Sequence, residues 1–205
     1  MRLDIIESGV RWTGAAAALV CLIAALAGIA RGQRRPRGRA TGLACKVLRL
    51  PAYFLIGVVF FGPCFLLWRP LPLALTASTR IVALALGALL YFPGLALYLW
   101  ARLTLGEMYN VSSSVGAQLY ADHRLVTHGP FAFARHPMYL GIILASVGGI
   151  LVYRTWTLLF ITVTFLGLVL RARREEQALA AEFGQQWEEY GQRAPGWVPH
   201  ILRRH

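Results

Sequence analysis

The sequence predicts an all-α membrane protein: about five transmembrane helices, the fourth and fifth paired as a TM4–TM5 helical hairpin, then a cytoplasmic C-terminal amphipathic helix. Three observations predict it. The 205-residue chain is 57% hydrophobic and only 15% charged, more apolar than ordinary soluble domains. Its apolar residues gather in runs close to the roughly 20 residues that a bilayer-spanning helix requires. Its basic residues, which bring the net charge to +12, cluster between those runs.

Taken in order, Thr13 to Ala30 is the first run. Asp4 and Glu7 spoil the basic stretch that would open a signal peptide, and no cleavage pattern follows Ala30, so this run reads as a retained helix. The segment 31–49 is a basic loop, with RGQRRPRGRA at its start suited to touching anionic lipid phosphates. Leu50 to Trp68 and Ile81 to Trp100 are the second and third runs. Met138 to Val152 and Thr155 to Leu170 are shorter, with only Tyr153 and Arg154 between them, and read as the hairpin, Gly148-Gly149 letting its helices approach. Residues 1–102 thus form an N-terminal membrane part and residues 103–205 a region that carries the polar motifs.

Lysine and arginine set orientation. With five spans, sixteen of the 21 basic residues fall on one side and five on the other. This places the N-terminus outside and both polar motif clusters in the cytoplasm. The arginine- and alanine-rich composition suits a bacterial inner membrane.

Composition also excludes classes of function. The arginines are not interleaved with aromatics on a soluble face, so nucleic-acid binding is not indicated. Cys21, Cys45 and Cys64 are isolated, which excludes a disulfide framework and a cysteine-based metal site. No GxGxxG follows a strand, which excludes a Rossmann-type cofactor fold.

The polar segment from Leu103 to Pro137 is too long for a simple connector. Within it, Gln118 to Val126 reads as a short strand or ribbon that ends in the turn His128-Gly129-Pro130. In Arg135-His136-Pro137, the proline suits the first turn of a helix, where its missing N–H costs nothing. That leaves a helix N-terminus facing a basic corner, suited to a carboxylate or phosphate. Tyr139 and Gly141 follow on one face just inside, the glycine permitting close approach of a ligand or a neighbouring helix. At the far end of the hairpin, Arg171 and Glu175 stand at i and i+4 and can pair. Glu176, Leu179, Phe183, Trp187 and Tyr190 recur at helical spacing as an apolar-aromatic stripe. The two clusters sit at the two ends of one apolar hairpin and are expected to meet.

An anion corner, a carboxylate and an aromatic slot together suit S-adenosylmethionine, whose carboxylate, ammonium, sulfonium and adenine each find a partner there. The chain also resembles the isoprenylcysteine carboxyl methyltransferases and their phospholipid-methyltransferase relatives. The residues that carry this are HGPFAFARHPMYLG and, after the hairpin, RxRREExxLxxEFGxxWxxYxxRxPxxxP, within a match from Leu105 to Ile201. The family usually shows tyrosine where this chain has Trp187, and valine where it has Ala194.

The resemblance implies an integral membrane enzyme that uses S-adenosylmethionine and takes a lipophilic or lipidated acceptor from the bilayer. It implies a cofactor site at His128, Gly129, Arg135, His136, Pro137, Tyr139, Gly141, Glu176, Phe183 and Tyr190, and catalytic roles for Arg171 and Glu175. It implies no metal. The closing turn is at Arg193, Pro195 and Pro199. Two other readings stay open: an NADPH-using membrane reductase of the sterol-reductase type, for which only Arg203 and Arg204 offer a 2′-phosphate pocket, and a non-catalytic membrane scaffold.

Overall fold

The structure is a computed structural model and describes residues 2–32, 34, 37–40, 50–109, 118–165 and 167–197. Its helices are α1 (Arg2–Gly32), α2 (Leu50–Leu66), α3 (Ala77–Leu105), α4 (Pro137–Tyr153), α5 (Trp156–Phe165), α6 (Leu168–Phe183) and α7 (Gln185–Arg193). Thr76 caps α3 by accepting a hydrogen bond from the Thr79 N–H through its side chain.

Among the described residues, three helical stretches are long and apolar enough to cross a bilayer: α1, α3 with its continuation to Met108, and the stretch Trp156–Phe183. The other two expected spans are shorter apolar segments, Gly57–Leu66 within α2 and Pro137–Tyr153. Leu19, Ile23, Leu26, Leu86 and Leu89 are exposed along α1 and α3, as residues facing lipid tails would be.

The α3–α4 pair is the centre of the fold. A Cβ on Gly94 would lie 2.5 Å from the Ala145 nitrogen, and one on Gly141 would lie 2.7 Å from the Gly94 carbonyl. Backbones at such range can carry only glycine, the small-residue interface of membrane helices. Gly148 serves this same interface, against Tyr91 and Gly87, and only Gly149 faces the hairpin partner through Leu158. The expected Gly148-Gly149 hairpin contact is therefore divided between two neighbours.

Helix α1 runs parallel to α3. Tyr91 Oη donates to Gly14 O at 3.2 Å near the middle of both helices, and Gly28 lies against the Arg102 guanidinium near their C-terminal ends. The turn between α4 and α5 is the single residue pair Arg154-Thr155, with Arg154 left-handed at φ 52°. Thr157 Oγ1 ties α5 to the α2 carbonyl of Cys64 at 2.7 Å.

The chain is mostly helical, and the short strand expected from Gln118 forms: β1 (Arg37–Ala40) pairs antiparallel with β2 (Gln118–Tyr120). The ribbon joins the basic linker to the polar segment, whose own stretch 110–117 lies outside the described residues, as do Cys45, Lys46 and Arg49. One expectation needs correction: the C-terminal stripe is not one helix. Gly184, at φ 48°, caps α6 through its N–H to Ala180 O and starts α7 in a new direction. Trp187 and Tyr190 are consequently buried in the protein, packed with Ala194 against Leu125, Leu179 and Phe183, and do not lie in lipid.

Candidate active site

The two motif clusters meet at the N-terminal end of α4. His136 is its N-cap residue and Pro137 its first residue, as the missing proline N–H favours. The C-terminal segment holds this corner by its backbone. Arg135 N–H donates to Pro195 O at 2.8 Å and His136 N–H to Gly196 O at 2.9 Å. Trp197 then closes over the corner, its ring 5.4 Å from His136 and 6.3 Å from Tyr139.

The anion that meets this basic corner is the chain's own Glu176. Its Oε1 lies 2.9 Å from His136 Nε2 and 3.4 Å from the Arg135 guanidinium. One residue earlier, Glu175 Oε1 accepts a 2.6 Å hydrogen bond from Tyr139 Oη and pairs with Arg171 Nε at 3.7 Å. The Tyr139 ring stacks on His136 with 7° between planes, and Arg171 stands over its ring at 5.4 Å. Two adjacent carboxylates of α6 therefore each hold one side of the α4 terminus, and such charge-assisted bonds set orientation as well as energy.

An open cleft adjoins the cluster. Its polar wall is Arg135, His136, Tyr139 and Glu175, with His123 and Arg124 of the loop that precedes α4. Its aromatic wall is Phe131, Trp187 and Tyr190, and apolar residues that include Leu105, Met108, Leu119 and Leu179 line the rest. Arg135 lies over the Trp187 ring at 5.5 Å, and its buried Nε has no hydrogen-bond partner among the described residues. Burial pushes the Tyr190 phenol up to about 12, so it stays protonated and donates to Phe131 O at 2.7 Å. That bond fixes the aromatic wall.

The structure divides the predicted residues into groups. Arg135, His136, Tyr139, Glu175 and Tyr190 line the cleft. Glu176 and Arg171 stand beside them as ion-pair partners. Pro137 is fully buried in the first turn of α4, and Phe183 packs on the Trp187–Tyr190 cluster with His123 at 6.1 Å. Gly141 is spent on α3, against Gly94 and Tyr98, and takes no part in the cleft wall. His128 is exposed, and Gly129 makes a left-handed turn at φ 62° beside Thr104. Phe131 and Trp197 are the contributors that sequence reasoning missed. Phe131 sits inside the quoted HGPFAFARHP motif and Trp197 lies within the closing turn, between Pro195 and Pro199, so proximity to the motifs was the available signal. Pro199 lies outside the described residues.

Among the described residues, no group of three or more His, Cys, Asp or Glu side chains could hold a metal ion.

Residues 85–181 match the model of the isoprenylcysteine carboxyl methyltransferase family. Protein-S-isoprenylcysteine O-methyltransferase B of Arabidopsis thaliana is 30% identical over 131 residues, 55% of this chain and 66% of that protein. The protein-S-isoprenylcysteine O-methyltransferase of Schizosaccharomyces pombe is 34% identical over 92 residues, 44% of this chain and 39% of that protein. That of Tribolium castaneum is 34% identical over 103 residues, 49% and 36% respectively. A solved structure of the eukaryotic intramembrane Ras methyltransferase, isoprenylcysteine carboxyl methyltransferase, is 26% identical. It superposes with a TM-score of 0.48, covering 75% of this chain and 54% of that one. The chain spans just under two thirds of the plant relative and well under half of the other two. The family match runs from inside α3, through the whole of α4, to α6, and so contains both halves of the cluster at the α4 terminus. By that match, which takes in just under half of the chain, and by these relatives, the region that carries both motif clusters is similar to the isoprenylcysteine carboxyl methyltransferase family.

Proposed function

We propose that this protein is an integral membrane methyltransferase that uses S-adenosylmethionine and methylates a lipophilic acceptor, the first candidate being a prenylcysteine-type carboxylate. The observation that carries the reading is the convergence at the α4 terminus: Arg135 and His136 on Glu176, Tyr139 and Arg171 on Glu175, opening on an aromatic-walled cleft.

The cleft chemistry fits this cofactor. Arg135 keeps a buried Nε without a hydrogen-bond partner among the described residues, a donor suited to a carboxylate. Glu175 lines the cleft as a counter-charge for an ammonium or sulfonium. Phe131, Trp187 and Tyr190 offer flat apolar walls for a purine. S-adenosylmethionine, when bound, supplies an electrophilic methyl group on sulfonium.

The chain's own residues position and desolvate. Tyr139, locked between the His136 ring and Arg171, holds Glu175 in place. Arg171 orients the acceptor carboxylate or phosphate as a positioning cation. A carboxylate acceptor is already deprotonated and needs no base; for an amine acceptor Glu175 is the group placed to take the proton. Direct transfer requires no covalent enzyme intermediate, so rate comes from alignment and exclusion of water.

The membrane arrangement follows the same reading: five apolar segments, N-terminus outside, and the cleft at the cytoplasmic face of a bacterial inner membrane. The basic loop 31–49 would touch anionic lipid there. Among the described residues no observation favours a reductase; Arg203 and Arg204 lie outside them.

The test is methyl transfer from radiolabelled S-adenosylmethionine by the purified chain in lipid, offered a farnesylcysteine analogue and total membrane lipid separately. Label in the farnesylcysteine ester supports the reading in full. Label only in lipid keeps the methyltransferase and replaces the acceptor. No label, with tight NADPH binding by calorimetry, overturns it.

A further inference from the structure

A second polar cavity, of about 990 Å³, lies at the other end of the bundle. It sits at the C-terminal end of α4, whose 17 residues put it about 25 Å from the His136 corner. It is therefore separate from the methyl-transfer cleft, and nothing in that reading uses it.

Its floor is an ion network centred on Glu7, which is only 3% exposed. Arg11 from the same helix pairs with Glu7 Oε1 at 2.6 Å, and Arg80 from the first turn of α3 pairs with Oε2 at 2.6 Å. Arg154, from the left-handed turn after α4, also bonds to Oε1. Asp4 takes Arg80 at 2.9 Å. Three elements far apart in sequence thus deliver three guanidinium groups to one buried carboxylate.

The balance of charge is what marks a binding site. Three arginines face two carboxylates, leaving one positive charge over. The Arg11 and Arg80 side chains, at 37% and 33% exposure, keep a third of their surface in the open, and both line the cavity. Arg11 Nε also donates to Val152 O at 3.0 Å and Arg154 to Leu151 O at 3.5 Å, tying the network to the end of α4, while Arg11 and Arg80 still present guanidinium surface to the cavity.

The remaining wall is apolar and aromatic. Trp12 and Trp68 line the cavity and are otherwise 76% and 59% exposed, as indoles at a membrane–water boundary are. A ligand that fits has one negative charge at an arginine-rich floor and an apolar body leaving between two tryptophans. Arginine forks match phosphate oxygens in particular.

We infer that this cavity binds the phosphodiester headgroup of an anionic lipid, drawn from the leaflet opposite the methyl-transfer cleft. The site is distinct from the basic loop, which lies at the other end of α1.

The test uses the full chain in neutral detergent and follows its thermal midpoint during titration with short-chain phosphatidylglycerol, short-chain phosphatidylcholine or inorganic phosphate. The expected result is a saturable rise with phosphatidylglycerol, at least tenfold weaker for the other two. Arg80→Gln should weaken the phosphatidylglycerol response tenfold or more. Because that change also touches Glu7, a second variant, Leu73→Trp, fills the cavity from a wall residue that is 55% exposed and leaves the ion network intact. It should abolish the response while keeping the unliganded midpoint. An equal response to phosphatidylcholine or to inorganic phosphate, or an unchanged response in Leu73→Trp, overturns the assignment.

Discussion

His136 Nε2 stands 2.9 Å from Glu176 Oε1, and the same oxygen lies 3.4 Å from the Arg135 guanidinium. One carboxylate of α6 thereby orients both basic residues at the start of α4. Glu176→Gln keeps the shape and removes the charge. Hydrogen bonds to charged groups contribute about 1.5–3 kcal/mol, so calorimetric affinity for S-adenosylmethionine should fall roughly 10- to 100-fold. Unchanged affinity would show that Arg135 and His136 are oriented without Glu176.

Tyr139→Phe tests the neighbouring carboxylate. The variant keeps the ring stacked on His136 at 5.6 Å but removes the 2.6 Å donor to Glu175. Losing one such bond at about 1.5 kcal/mol predicts a roughly tenfold drop in kcat/KM for methyl transfer. The thermal midpoint should stay near the parent value, because the buried ring is retained. A large fall in midpoint would mean that the hydroxyl holds the fold instead of the site.

The site was legible in the sequence where its signals are local. Arg135-His136-Pro137 announces a helix start, and Arg171 with Glu175 announces one helix face, and these residues do converge. The rest depends on contacts that leave no periodic trace. Glu7 and Arg154 are 147 positions apart, and the sequence showed only an acidic residue in a signal-like region and a basic residue in a turn. Gly141 permits close approach of a ligand or of a neighbouring helix, and only the backbone contact with Gly94 decides that the neighbour is a helix. The aromatic stripe keeps helical spacing from Glu176 to Tyr190, but the left-handed Gly184 breaks the helix within it. That break turns Trp187 and Tyr190 inward to wall the cleft. Apolar runs gave the helices; which faces meet is a tertiary matter.

Trp187 carries a definite load: Arg135 stands 5.5 Å over its ring and Tyr190 meets it edge-on at 5.7 Å. Trp187→Tyr should keep cofactor affinity within about threefold, since an arginine over either ring contributes on the order of 0.5–1 kcal/mol. Trp187→Ala removes the wall and a buried aromatic, which costs about 3–5 kcal/mol. It should lower the thermal midpoint and abolish measurable binding. Equal binding by the tyrosine and alanine variants would remove Trp187 from the cofactor wall.

The α3–α4 interface yields the sharpest contrast between sites of one residue type. A methyl group at Gly94 meets the Ala145 nitrogen at 2.5 Å and the Gly141 carbonyl at 2.8 Å, and one at Gly148 meets the Tyr91 nitrogen at 2.5 Å. These neighbours are backbone, which cannot swing aside as a side chain would, so the helices must separate. Separation carries Tyr139 and His136, on α4, away from Leu105 and Met108 at the end of α3, and so opens the cleft they share. Gly94→Ala and Gly148→Ala should therefore lose about 1–3 kcal/mol or more by overpacking, seen as a lower midpoint in detergent, together with methyl transfer. Gly57, also in a helix, has nothing within 4 Å of its would-be Cβ. Gly57→Ala gains helix propensity of about 0.5–1 kcal/mol and should match or exceed the parent midpoint with activity intact. If all three variants behaved alike, close approach of α3 and α4 would not be what holds the two walls of the cleft together.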